Sequence, residues 1–166
     1  MKKSSLIPLA LALFLLPLSL SAQTGTWTAV ASTGAIDEAS LGAYATNGSF
    51  LQHLAGSLVN VVSRYNVTNT FGGGITDLPP WNTLELGYFD NAAGSTVSAV
   101  LFRVDPCTGA RMVLCSIISA DNAVATCQRC TFSQQIDFSN FLYYVEVTVT
   151  RNANNLTPSA RTLRIF

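Results

Sequence analysis

The chain has 166 residues, of which 49% are hydrophobic and only 11% charged, with nine basic and nine acidic side chains. That length suits one domain behind a short leader, since one fold unit commonly takes roughly 100 to 200 residues. Lys2 and Lys3 are the only lysines and the seven arginines are scattered from Arg64 to Arg164, which argues against the dense cationic face of a nucleic-acid binder and against the polybasic patch of a membrane-surface protein.

In chain order, the first element is a secretory signal peptide over residues 1–22. Lys2 and Lys3 form its positive start, Leu6 to Leu16 its apolar stretch, and Pro17 breaks the run before Ser19-Leu20-Ser21-Ala22. Cleavage is expected after Ala22 or one residue earlier. The apolar run falls short of the about 20 residues that a membrane-spanning helix needs, and no cysteine follows to carry a lipid. The expected location is therefore secreted or extracytoplasmic, with residues 23–166 as one domain that has seven arginines against nine carboxylates and no lysine.

A quarter of residues 23–166 are Thr, Val or Ile, side chains that are stiff in helices and pack well on pleated surfaces. Period-two runs place strands at Thr26–Val30, around Val59 to Thr68, at Leu84 to Tyr88, Thr96 to Val104, Arg111 to Ile118, Thr131 to Ile136, Phe141 to Thr150 and Thr162 to Phe166. In Phe141 to Thr150, Tyr143, Val145, Val147 and Val149 point inward and Glu146 and Thr148 outward. Leu51, Leu54, Leu58 and Val62 also fit a helical stripe, but Gly56 and the β-branched residues beyond it favour strand, loop, strand. Turn signals such as Asp77-Leu78-Pro79-Pro80 and Asp105-Pro106-Cys107-Thr108-Gly109 separate the runs. About eight or nine short strands at intervals of roughly 8 to 15 residues predict an all-β protein, a single two-layer antiparallel β-sandwich with jelly-roll-like topology.

Three stretches carry a resemblance: Leu84-Glu85-Leu86-Gly87-Tyr88-Phe89-Asp90-Asn91, then Val100 to Asp105 with Thr108-Gly109, then Ile136-Asp137-Phe138-Ser139-Asn140 leading into Tyr143-Tyr144-Val145. Over residues 80–150 the chain resembles a type of secreted bacterial β-sandwich domain, jelly-roll-like, with paired Asp-Asn turns before tyrosine-rich strands. The resemblance implies a fold and no catalytic activity, and it says nothing about the cysteines.

Catalytic groups are scarce. His53 is the only histidine, it sits in an irregular stretch, and no Gly-x-Ser-x-Gly elbow is present, so a Ser-His-Asp site has little context. A glycan hydrolase would need two carboxyl groups roughly 5 to 10 Å apart; Glu85 and Glu146 are the candidates, and solvent-facing strand positions are the plainer account of both. Asp90, Asn91, Asp137 and Asn140 offer oxygens for calcium, but they read as turn caps. Trp27 and Trp81 open a carbohydrate-binding reading if exposed, and a core reading if not. Asn47, Asn66 and Asn155 begin glycosylation sequons by pattern only.

The expected function is thus a non-enzymatic interaction or structural role at or beyond the cell surface. A carbohydrate-binding module and a carboxylate-dependent glycan hydrolase are the alternatives. No cofactor and no metal are expected; the expected partner is a glycan or a cell-surface protein, with self-association open, and Thr26 to Val30 is the candidate donor strand for pairing with a neighbour. Cys107, Cys115, Cys127 and Cys130 allow three pairings. Export favours two disulfides over a zinc site, with Cys107–Cys115 and Cys127–Cys130 the favoured local scheme.

Overall fold

The computed structural model describes residues 25–72 and 78–166; the signal peptide read over residues 1–22 lies outside them. The described residues hold eleven strands: β1 (Trp27–Val30), β2 (Ala35–Ile36), β3 (Tyr44–Asn47), β4 (Phe50–His53), β5 (Val61–Val67), β6 (Thr83–Asp90), β7 (Ser95–Val104), β8 (Arg111–Ile118), β9 (Asn122–Thr131), β10 (Leu142–Arg151) and β11 (Ser159–Ile165). They form two antiparallel sheets. The front sheet runs β3-β4-β11-β6-β9 and the back sheet β2-β5-β10-β7-β8. β4 pairs with Ser159 and Ala160 of β11, and β1 pairs with Thr162 to Ile165 along the same edge. Taken alone, β4 to β11 lie in the orders 4-11-6-9 and 5-10-7-8 in the two layers, which is the strand order of a jelly roll.

Alternation explains the layers. In β10, Tyr143, Val145, Val147 and Val149 are buried while Tyr144, Glu146 and Thr148 lie on the outer face. β7 sits between β10 and β8 and sends Val97, Ala99 and Leu101 inward. They meet Leu84, Leu86 and Tyr88 of β6 and Leu163 and Ile165 of β11 across the interior. Each large side chain so removed from water contributes about 1.5–3 kcal/mol, and the close-packed interior fixes the register, because a one-residue slip would turn every strand inside out.

Two expectations need correction. Thr131 to Ile136 is not a strand; β9 ends at Thr131, and Phe132 and Ile136 are buried as plugs in a loop anchored by the Phe132 amide on Asn82. The strand is Asn122–Thr131, obscured because an edge strand with Ala, Thr, Gln and Arg shows little hydrophobic alternation. Val59, where the predicted strand was to begin, is exposed ahead of β5. The strand, loop, strand reading near Leu51 agrees with the structure: β4 ends at His53, and Gly56 takes φ +82°, a left-handed turn conformation.

Candidate functional site

Trp27 and Trp81 belong to the core, at 5% and 4% exposure. The Trp81 indole N–H donates to the Gly25 carbonyl at 3.1 Å, and its ring meets Phe138 edge-on at 6.2 Å. Neither ring is available to stack on a sugar, so the tryptophan-based binding site is not formed. β1, the segment considered as a donor strand, is docked on β11 in register from Trp27 opposite Ile165 to Val30 opposite Thr162. Burial of Trp27 holds it there.

Glu85 lies on the outer face of the front sheet and Glu146 on the outer face of the back sheet. The interior separates them, and since packed sheets alone stand about 10 Å apart, the two carboxylates cannot flank one glycosidic bond. Each is instead an ion-pair partner. Glu85 accepts from Arg129 at 2.6 Å and Arg164 at 3.2 Å. Glu146 accepts from Arg64 at 2.7 Å, which also bonds Asp37 at 2.6 Å; the Arg64 guanidinium, with help from the Ala39 amide, holds the Asp37 carboxyl below the ordinary range. Asp90 and Asp137 stand at opposite ends of the sandwich, because Asp90 takes the Ser95 hydroxyl where β7 begins, whereas Asp137 caps the turn that leads into β10 beside the end of β7. They therefore build no joint calcium site, and no metal-ligating cluster occurs among the described residues.

The cysteines follow a different scheme from the local one. Cys115 of β8 pairs with Cys130 of β9, with Cα atoms 5.9 Å apart, and Cys107 and Cys127 are free and exposed. β8 and β9 are the edge strands of opposite sheets, so the bridge ties the two layers together along one flank. Cys127 and Cys130 are three residues apart on one strand and face opposite sides, which rules out their pairing. Cys107 belongs to the hairpin turn, held there by the Asp105 carboxylate accepting from the Cys107 and Thr108 amides.

His53 ends β4 with 6% exposure and lines a cavity of about 210 Å³ together with Gln52, Arg151, Asn154 and Thr157. Neither ring nitrogen has a hydrogen-bond partner. Burial first, then the Arg151 charge, pushes the His53 pKa below its usual 6.5, against a weaker opposing pull from the Val59 main chain. The ring is therefore neutral near pH 7, and among the described residues no serine or carboxylate bonds its nitrogens, so these assemble no triad through it. Arg151 is 8% exposed and makes no ion pair among the described residues. Its guanidinium donates to the carbonyls of Leu54, Ser57, Asn154 and Leu156, stapling two loops to the end of β10. The sequence holds the signal for it: position 151 has the inward parity of Tyr143, Val145, Val147 and Val149.

Arginine and aromatic side chains share both outer faces. On the back sheet, Phe102 and Tyr144 stack at 4.9 Å and 18°, with the Arg111 guanidinium 5.6 Å from the Phe102 centroid and bonded to the Tyr144 hydroxyl at 3.1 Å. One face of each ring is thus turned to the other, and Arg111 lies over Phe102. On the front sheet, Phe166 lies beneath both Arg129 and Arg164, at 5.4 and 5.1 Å, and Phe50 and Phe89 lie beside Arg161, at 4.3 and 5.8 Å.

No family model matches the chain, and no curated protein sequence matches it. Among solved structures it is similar to the isomalto-dextranase of Arthrobacter globiformis T6 complexed with panose, at 14% identity and TM-score 0.36, covering 75% of this chain and 18% of that one. It is also similar to structures of infectious bursal disease virus, Gt strain (16% identity, TM-score 0.37) and Gx strain (17%, 0.38), each covering 85% of this chain and 31% of the other. The chain thus spans less than a third of the length of each of these proteins.

Proposed function

We propose that the protein is a non-catalytic interaction or structural module working outside the cytoplasm, and that its contacts are made along the flank formed by β8 and β9. The observation that carries this reading is the exposure there of Val113 (52%), Ile118 (67%) and Val124 (64%), with Met112 beside them. These side chains stand on two edge strands whose outer backbone groups pair with no other strand of the fold. Exposed apolar residues on unpaired edges mark sites of association, and the Cys115–Cys130 bridge holds both edges in one rigid flank. That bridge and the signal-like leader both fit an oxidising, extracytoplasmic setting. The hydrolase and carbohydrate-module alternatives lose their residues, because Glu85 and Glu146 face apart and both tryptophans are buried.

The test is sedimentation velocity of the purified protein over a range of concentrations, paired with binding of labelled protein to the surface of the cells that produce it. Self-association or surface binding that Ile118→Lys and Val124→Lys abolish, with melting temperature unchanged, supports the reading. Turnover of a glycan substrate by the wild-type protein, or binding indifferent to both substitutions, overturns it.

A further inference from the structure

Arg161 stands apart from the other described arginines. Arg64, Arg129 and Arg164 pair with carboxylates, Arg111 with Tyr144, Arg103 with the Met112 sulfur and Arg151 with carbonyls. Arg161 makes no hydrogen bond or ion pair among the described residues, and its Nε is buried without an acceptor. A buried, unmatched donor costs about 1–3 kcal/mol, so its persistence calls for an explanation.

Its placement has a specific cause. The pairing of β11 with β6 shifts between Ala160, opposite Tyr88, and Thr162, opposite Gly87, so Arg161 is the extra residue of a β-bulge. A bulge re-aims a side chain. Ala160 and Leu163 remain buried on either side, and the Arg161 guanidinium is turned onto the outer face of the front sheet, between Phe50 and Phe89. These rings hold the guanidinium without occupying its terminal nitrogens, and Nη1 and Nη2 so placed present a fork suited to two oxygens of one anion, while Nε stays buried.

The fork borders an open pocket of about 310 Å³ that is also lined by Ser49, Gly87, Thr126, Cys127 and Thr162. Gly87 leaves the floor of the pocket without a side chain; a Cβ there would strike the Thr162 hydroxyl. The volume is at the lower end of the roughly 300–1,000 Å³ common for ligand sites, which limits the occupant to about one ring. The surrounding face is cationic, with Arg129, Arg161 and Arg164 against the one carboxylate of Glu85.

We infer that this pocket binds a small oxyanion, with Arg161 gripping a carboxylate or phosphate group and the neighbouring hydroxyls of Ser49 and Thr162 available to the rest of the ligand. The pocket borders β9 through Thr126 and Cys127 but opens on the outer face of the front sheet, and the anion site does not rest on the association proposed for the β8 and β9 flank. Titration calorimetry of the purified protein with galacturonate, inorganic phosphate and neutral maltose tests it, at low and at 0.5 M salt. Saturable binding of galacturonate or of phosphate, but not of maltose, is expected, and which of the two binds identifies the source of the oxyanion. Arg161→Gln should weaken that binding at least tenfold and Arg161→Lys by less, because lysine keeps the charge and loses the fork; Cys107→Ser, in the turn between β7 and β8 and outside the pocket, should leave it unchanged. The inference is overturned if neither anion binds, if Arg161→Gln binds as well as wild type, or if Arg129→Gln costs as much as Arg161→Gln, since the last would show only the general field of the face.

Discussion

Two arginines without a carboxylate partner sit a few residues apart in sequence and do opposite things. Arg151, at the end of β10, is buried and spends its donors on the carbonyls of two loops. Arg161, in the β11 bulge, has no acceptor and rests on two phenylalanine rings. A buried cation is tolerated where its donors are all met, so Arg151 is part of what holds the fold together. Arg161 is held by stacking alone among the described residues, so its terminal nitrogens remain free for a ligand.

The sharpest way to break this contrast is to remove each guanidinium in turn. Arg151→Met should destabilise the protein by about 3–5 kcal/mol, because the carbonyls of Leu54, Ser57, Asn154 and Leu156 lose their shared donor inside the fold; urea denaturation measures it, and a loss under 1 kcal/mol would mean that the loops hold without the staple. The flank opposite β2 is held covalently instead. Replacing Cys115 and Cys130 together by serine opens a loop of 15 residues, for which chain entropy sets a cost of about 3 kcal/mol. Peptide mapping of the non-reduced protein should recover Cys115 linked to Cys130 and no Cys127–Cys130 link.

A smaller effect comes from the histidine beside Arg151. The folded state holds the His53 pKa below 6.5, so as pH falls through and below 6.5 the unfolded chain takes up a proton that the native ring resists, and stability declines; above that value this contribution is fully present. Melting curves from pH 8 to 5 should show the decline, and His53→Gln should remove that part of the slope. The carboxyls of Asp37, Asp105 and Asp137, held below their usual 3.8, add a separate loss only in more acidic solution. The smallest change in stability should come from Arg161→Gln, within about 0.5 kcal/mol of wild type as for substitutions outside packed networks. A large loss there would make Arg161 a second structural staple and erase the contrast.

The layers of the sandwich were legible because their residues alternate: Tyr143 to Val149 on β10 and Val97 to Leu101 on β7 announce both strand and inward face. β9 was not, since its inward positions opposite Tyr88, Leu86 and Leu84 are Thr126, Gln128 and Cys130, and no aliphatic alternation marks them. The Cys115–Cys130 bridge joins edges of different sheets, and no local spacing encodes which edges a topology brings together. Arg161 is the hardest case. Its position follows from a single unpaired residue in β11, and a bulge changes register without changing composition.

The pairing of β1 with β11 places Trp27 opposite Ile165, so the first and last strands of the described fold begin and end side by side. A load applied between those two points would meet the β1–β11 hydrogen bonds one after another, as in opening a zipper, rather than all at once in shear. The jelly roll would yield first by shedding β1, at low force, while β4 to β11 and the Cys115–Cys130 bridge kept the two layers closed. Tethered through both ends, the molecule would behave as a compliant link with a rigid body, and a bead or cantilever pulling on that pair of ends would register a short early extension before any cooperative rupture.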